Sequence, residues 1–414
     1  MRARALIAAT LLGLAGTIVT TSTATAAPTC ADPTAALSVE EQRLALPAPA
    51  QILSRSGFDR FERVFTPSLC ALRNDRIAKT VISAQGRALW EAAVARAQGH
   101  LPPGTLPVTD DRPLYWARLQ LSRALKQWTP SFALSPAARA GLLDALEQSS
   151  RGQNSVAYKG RGKRILVSGF DPFQLDQDIR RSNPSGATAL ALDGTVIQTP
   201  SGPARIETAM FPVLWDPFAA GMVERTFLPR LTEVDMFTTI SQGRVGRFDV
   251  ERYNGRWRGG FPDNNNLSRT EVIPIPAGVP TVTPAPEFVP TTLPYAAIVA
   301  TPTGRFPVLD NTSVTEIPAG QTAPVVSPTG PTPGSVARAG GGGNYLSNEI
   351  AYRATLLRDA LGAQIPGGHL HTPVLEFGPG NTTELTDPVF AQNQLDIINQ
   401  VRAVLVVAAG TLAR

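Results

Sequence analysis

Arg164-Ile165-Leu166-Val167-Ser168-Gly169-Phe170-Asp171-Pro172-Phe173 is the stretch on which the fold turns. Ile165, Leu166 and Val167 form a short apolar run between basic residues and Gly169, the pattern of a buried strand entering a parallel sheet. Gly169 and Pro172 end that strand in a turn carrying Phe170 and Phe173. Both rings then stand over the carboxyl end of the sheet, where α/β folds place their ligands. Two readings are open for them: a clamp for a small flat ring, or two plugs in the core.

The rhythm continues downstream. Asn183-Pro184-Ser185 spells a helix start, with asparagine as the cap and proline in the first turn. Strands are expected at Arg205 to Phe211 and Val234 to Ile240, with a helix at Phe218 to Leu228 between them. Strand, helix, strand, helix, strand implies an α/β fold with a mostly parallel sheet and right-handed crossovers. Asn264 to Ser335 interrupts it with many prolines and threonines, which disfavour central strands; loops and edge hairpins are expected, with PYAAIVA and FPVL partly packed. The glycine run from Ala339 to Gly343 feeds a helix beginning near Ser347. GGHLHTP, Gly367 to Pro373, reads as a short strand, and the last helix spans Asn393 to about Leu405.

Upstream the pattern is helical from Ala27 to about Gln148. Ser38-Val39-Glu40-Glu41 is a capping box, and Ser135-Pro136 a second helix start. Trp90, Trp116 and Trp128 are expected as core between these helices. Ser149 to Gly162 is polar and glycine-containing and reads as a linker. Arg2 and Arg4, the apolar segment from Ala5 to Val19, and Ala24-Thr25-Ala26 have the three parts of a secretory leader, with cleavage expected near Ala27. The expected domains are therefore a leader at 1–26, an all-α region at 27–148, a linker at 149–162, and an α/β domain at 163–414 with an insertion near 265–335.

The chain's 2 cysteines, Cys30 and Cys70, are expected to pair in an oxidising exterior. No cysteine is left for catalysis. A net charge of +5 over 414 residues, with no clustered basic face, argues against nucleic-acid binding. The apolar leader is short and no stop-transfer charges follow it, so no membrane anchor is expected once it is removed.

Three separated pieces supply the roles of nucleophilic acyl transfer: Ser347 at a helix start, His371 in the GGHLHTP stretch, and Glu251 in DVER. A hydroxyl needs a base to take its proton, and the base needs an acid to hold its tautomer. The preceding glycines let backbone approach a substrate, and free amides at the helix start can face an oxyanion. Each residue also has a plain reading, as a cap, a structural histidine or a solvated ion pair. His369-x-His371 on a strand could ligate a metal, but the remaining histidine, His100, is remote in sequence.

GFDPF, NPSG, SQG followed by VER and FPDN, TTLP, NYLSN with Tyr352 beyond it, and HLHTP occur in the order and approximate spacing of pyroglutamyl peptidase I, the C15 cysteine peptidases. From about Arg164 to Leu405 the chain resembles that family. The resemblance implies a three-layer α/β/α fold and removal of N-terminal pyroglutamate from peptides by a Glu, Cys and His triad, without a cofactor. It places Glu251 as the acid, His371 as the base, Phe170 and Phe173 as a clamp for the lactam ring, and Gln242 as a backbone contact to it. Ser347 stands where the family has its nucleophilic cysteine. The family's arginine near the oxyanion is replaced by Gly260, leaving Arg256 or Arg258 as substitutes, and the spacing from Glu251 to Pro262 is one residue short. A secreted hydrolase acting on peptides with a blocked N-terminus is the expectation; a family member that binds such peptides without turnover is the alternative.

Overall fold

In the computed structural model, which describes residues 30–413, Lys163–Phe170 is a strand whose side chains part to opposite faces. Ile165 and Val167 join one apolar core, while Leu166 and Phe170 join another. This alternation divides the molecule into layers. The leader and its cleavage point lie outside the described residues.

Seven strands form the sheet, in spatial order Val308–Asn311, Phe248–Glu251, Gly367–Thr372, Met236–Gln242, Lys163–Phe170, Gly202–Phe211 and Val196–Thr199. The four from Gly367–Thr372 to Gly202–Phe211 run parallel, so Phe170, Phe211, Gln242 and Thr372 end at one edge. Phe248–Glu251 is antiparallel to Gly367–Thr372, and Val196–Thr199 is antiparallel to Gly202–Phe211. Helices Pro184–Leu192 and Pro388–Gly410 cover one face. Helices Met222–Phe227 and Leu346–Ala360 cover the other. The fold is thus a three-layer α/β/α arrangement preceded by helices.

The structure departs from sequence expectation at several points. The helix anticipated at Phe218 to Leu228 is two short ones, Trp215–Ala219 and Met222–Phe227, because Gly221 between them takes a left-handed φ of 82°. The last helix is longer than expected at both ends, Pro388–Gly410, with Asp387 capping it through the Phe390 amide. Val308–Asn311, inside the proline-rich excursion, is an edge strand of the main sheet, parallel to Phe248–Glu251. The excursion also supplies Val314–Ile317 and Val325–Ser327 to a three-stranded sheet that Val336–Ala339, just beyond it, completes. The polar stretch read as a linker is ordered in its first part: Ser149 and Ser150 end a helix, and Arg151 and Gln153 are buried.

The helices Pro47–Ser56, Arg60–Cys70, Asp75–Ala97, Arg112–Gln127 and Pro136–Ser150 enclose a core that includes Trp90, Trp116 and Trp128. Cys30 and Cys70 form a disulfide that ties the chain before these helices to the end of Arg60–Cys70. The same core takes in Ala189 and Leu190 of Pro184–Leu192, so the helical region is packed onto the sheet's own helix.

Polar contacts follow that packing. The Asp171 carboxylate, fully buried, receives Arg118 and, at 2.6 Å, Arg151. Arg43 bonds Asp176 at 2.8 Å, and Asn264 donates to Glu40 at 3.0 Å. Asp111 accepts from the Ser182 hydroxyl and, at 3.0 Å, from the Asn183 amide. A buried charge left without its partner is costly, by about 3–5 kcal/mol. Asp171→Asn, which keeps shape and removes charge, is therefore expected to lower the unfolding free energy by about that much in denaturant titration; a loss below about 1 kcal/mol would show that the pairs are idle.

Burial, and after it the Asp171 charge, push the Glu40 carboxyl up to about 7. The folded chain then holds a proton there at pH values where the unfolded chain has released it. Glu40's contribution therefore weakens as pH rises from the ordinary carboxylate range through about 7. Glu40→Gln removes this dependence. Relative to the parent, the variant is expected to gain stability between about pH 5 and about pH 8 in urea unfolding; an equal difference at both values would contradict the assignment.

Candidate active site

The carboxyl edge of the parallel strands brings the sequence-nominated residues to one place. His371 lies on Gly367–Thr372 opposite Ser241 on one side and Asp249 on the other. Glu251, at the end of its short strand, reaches diagonally to accept His371 Nδ1 at 2.8 Å. Glu251 is fully buried and His371 nearly so. The second carboxylate oxygen of Glu251 accepts Asn311 Nδ2 at 2.7 Å, and the same amide nitrogen donates to Gly341 O at 2.8 Å. With Nδ1 committed, Nε2 is the His371 nitrogen left for proton transfer.

Ser347 enters from the second position of Leu346–Ala360. It lines, together with His371, a cavity of about 330 Å³. Tyr345 is the helix N-cap, yet no side chain caps the first turn; the Tyr345 hydroxyl donates instead to Pro262 O at 2.9 Å. The first-turn amides are thereby left for a ligand. Asn348 fixes the helix start, donating to Gly255 O at 2.8 Å and Trp257 O at 3.0 Å and accepting from the Gly255 amide at 2.8 Å.

The clamp residues have unequal surroundings. Phe170 is buried, stacked on Phe218 with centroids 6.1 Å apart, so its ring is core and its edge is wall. Phe173 is half-buried and faces Tyr345 at 6.2 Å. With Gln242, Asn183 and Ser347 they line a slot of about 30 Å³. Phe173, Gln242, Tyr345 and Ser347 line both slot and cavity, so Ser347 sits where the two meet.

His369 is differently placed from His371. Thr239 Oγ1 lies 2.7 Å from its Nδ1 and Ser241 Oγ 2.8 Å from its Nε2. Both nitrogens are thus engaged by hydroxyls. Burial, and then the His371 charge, hold its pKa well below the ordinary histidine value. Among the described residues no group of three or more His, Cys, Asp or Glu is placed to hold a metal ion.

Neither arginine offered for the oxyanion is at the cavity. Arg258 is buried against Glu271 at 2.6 Å and Glu349 at 3.3 Å, and Arg256 pairs with Glu287 at 3.7 Å. Gly260 itself takes a left-handed φ of 89°, where a side chain would also press on Asn344. Sequence reading also missed Asn311, hidden in the proline-rich excursion, and the work of the glycine run. A Cβ on Gly341 would fall 2.1 Å from Glu251 Oε2, one on Gly342 2.0 Å from His371 Cε1, and one on Gly340 2.3 Å from Asn348 Oδ1. These glycines let backbone lie directly on Glu251, His371 and Asn348.

Gly342→Ala must therefore push the imidazole aside. Loss of the hydrogen-bonded His371 Nδ1 proton from the downfield NMR spectrum is expected, with about a hundredfold fall in any turnover the site supports. A spectrum unchanged from the parent would mean that the loop, not the ring, gives way.

Two family models match the chain: PA0049 N-terminal domain over residues 21–147, and PA0049, C-terminal domain over residues 164–301 and 304–376. Uncharacterized protein PA0049 of Pseudomonas aeruginosa is 33% identical, over 92% of this chain and 90% of its own length. Among solved structures, pyroglutamyl peptidase I from Bacillus amyloliquefaciens is 20% identical, with 60% of this chain and 96% of its own covered at a TM-score of 0.41. A mutant pyrrolidone carboxyl peptidase from Pyrococcus furiosus is 22% identical, with 59% and 97% covered at a TM-score of 0.39. The identity to the Pseudomonas protein, sustained across nearly all of both chains, decides the assignment: this chain belongs to the PA0049 family.

Proposed function

We propose that the protein is an exported hydrolase that removes pyroglutamate from the N-terminus of peptides, with Ser347 as nucleophile. The observation that carries this reading is the buried Glu251–His371 hydrogen bond of 2.8 Å at the wall of the cavity that Ser347 shares. The motif resemblance supports the substrate. The Cys30–Cys70 disulfide supports an oxidising destination, and no described helix is long and apolar enough to cross a membrane.

In the proposed reaction the lactam occupies the slot beside Phe170 and Phe173. Ser347 Oγ attacks the carbonyl carbon joining pyroglutamate to the next residue as His371 Nε2 takes the hydroxyl proton. Glu251 stabilises the resulting imidazolium, and amides of the uncapped helix start face the oxyanion. The carbon–nitrogen bond then breaks, and His371 returns its proton to the departing amine. Water, deprotonated by the same nitrogen, cleaves the acyl-serine ester and releases pyroglutamate. Serine suits an oxidising exterior, where a free thiol is converted to sulfenic and higher acids. Its hydroxyl is not acidic enough to rest ionised, so His371 must act as a general base during attack.

A second reading is favoured by one observation. Among the described residues no hydrogen bond links Ser347 to His371, as expected of a site that binds pyroglutamyl peptides without turning them over. A pyroglutamyl fluorogenic amide separates the two. Under the hydrolase reading the parent releases fluorophore, Ser347→Ala loses about 10³-fold or more, and Ser347→Cys is active and blocked by an alkylating agent. Saturable binding with no release by either the parent or Ser347→Cys would establish the binding reading, and release undiminished in Ser347→Ala would remove Ser347 from the mechanism.

A further inference from the structure

The cavity that meets the slot at Ser347 is more basic than acyl transfer requires. Arg181 and Arg244 line it, with Asp249 as the acid on the same wall. Arg244 Nη1 lies 2.9 Å from Asp249 Oδ2, and Arg247 Nε lies 3.2 Å from the same oxygen. Two guanidiniums thus share one carboxylate, and one positive charge is in excess. Arg181 forms no ion pair among the described residues. It donates only to amide oxygens, Gln174 Oε1 at 3.0 Å and Gln177 Oε1 at 3.3 Å, while its Nε is buried without a partner. Gln174, on the same rim, holds a left-handed φ of 59°, uncommon for a residue with a side chain. The Asp178 carboxylate acts on Arg181 through space without pairing with it, so the hydrogen-bonding capacity of this half-buried guanidinium is met only by neutral oxygens, and a carboxylate is the group its planar fork best accepts.

The position of this charge gives it a role. Ser347 stands at the junction of slot and cavity, so a lactam in the slot directs whatever follows the scissile bond into the cavity. We propose that the cavity is a subsite for the leaving residue that selects an anionic group there: short pyroglutamyl peptides presenting a carboxylate to Arg181 and Arg244. The proposal rests on the placement of the lactam and the scissile bond argued above. It requires no ionisation change at Arg181, because a guanidinium is charged at every pH at which the protein is folded.

Three pyroglutamyl dipeptides test it: pyroglutamyl-alanine with a free α-carboxylate, pyroglutamyl-glutamate α-amide with only a side-chain carboxylate, and neutral pyroglutamyl-alanine amide. Their affinities for full-length Ser347→Ala are measured by calorimetry, and kcat/KM for each is measured with the parent chain. At least one anionic dipeptide is expected to bind about tenfold or more tightly than the neutral amide at low salt, the value of one charge-assisted hydrogen bond. Which of the two does so identifies the carboxylate recognised. The preference is expected to shrink as salt is raised, and to fall below about twofold when Arg181→Gln is added. The salt series on unmutated Arg181 decides the matter even if that variant does not fold. Equal affinities for all three, or binding of none, overturn the subsite. Binding in the expected order with no cleavage by the parent defeats the hydrolase reading and leaves the subsite standing; cleavage without preference does the reverse.

Discussion

One carboxylate couples the two halves of the molecule. Asp171 belongs to the turn that follows the decisive strand, and its oxygens are held by Arg118 and Arg151, both from the helical region. All three side chains are buried. Removing such charges from water costs several kcal/mol each, which good pairing largely offsets rather than exceeds. What the contact supplies is therefore chiefly position. The Asp171 carbonyl accepts the Asn183 amide nitrogen at 2.9 Å, and the Asp171 N–H donates to Phe211 O at 3.0 Å, so the turn carrying Phe170 and Phe173 is fixed from both ends. Asp111 holds the Asn183 amide, and Glu40 holds Asn264, which in turn donates to Pro172 O. The helices thus grip three separate loops at the carboxyl edge of the sheet, and the slot is shaped by residues that never line it.

The site itself follows a different rule, in which backbone rather than charge sets distance. Glu251 sits on a strand of only four residues, too short to hold its side chain unaided. Asn311, on the neighbouring edge strand, binds both Glu251 and the Gly341 carbonyl, and so fastens the acid to the glycine run. The glycine run in turn lies against His371 at a separation that no side chain would allow. His369 completes the arrangement by staying neutral: with both nitrogens bonded to hydroxyls and its pKa well below the ordinary value, it places no competing cation beside His371.

Much of this was legible where local chemistry decides structure. The apolar run at Ile165 formed its strand because burial on both faces needs no longer pattern. Ser38, Ser135 and Asn183 cap helices because each offers an oxygen to an amide with no partner inside the helix. Phe248–Glu251 and Val308–Asn311 were not read as strands, being four residues long and, for the second, directly preceded by Pro307 within a proline-rich stretch that an edge strand tolerates and a central one does not. The glycine run was legible as a close approach of backbone to something, but not to what. Its neighbours Glu251 and His371 are far away in sequence, and only the sheet register brings them there. Arg151, in a segment read as polar linker, carries the same lesson: its partner Asp171 lies beyond the intervening strand, and no local pattern announces a buried ion pair.

A serine at the Leu346–Ala360 helix start is therefore more constrained than its local sequence implies. It stands between a slot lined by aromatic rings and a wider cavity lined in part by Arg181 and Arg244. As the proposed nucleophile, Ser347 would separate two tasks at such a boundary. In the proposed reaction the slot would hold the small ring by shape, while the cavity would accept the leaving group and, after it departs, the hydrolytic water. In the proposed reaction that separation bears most heavily on an oxygen nucleophile. A thiolate can rest ionised between turnovers, whereas a hydroxyl must surrender its proton in the same step that forms the new bond. The imidazole must then be oriented before substrate arrives. Glu251, Asn311 behind it and the glycine backbone against the ring would together supply that orientation in the proposed reaction.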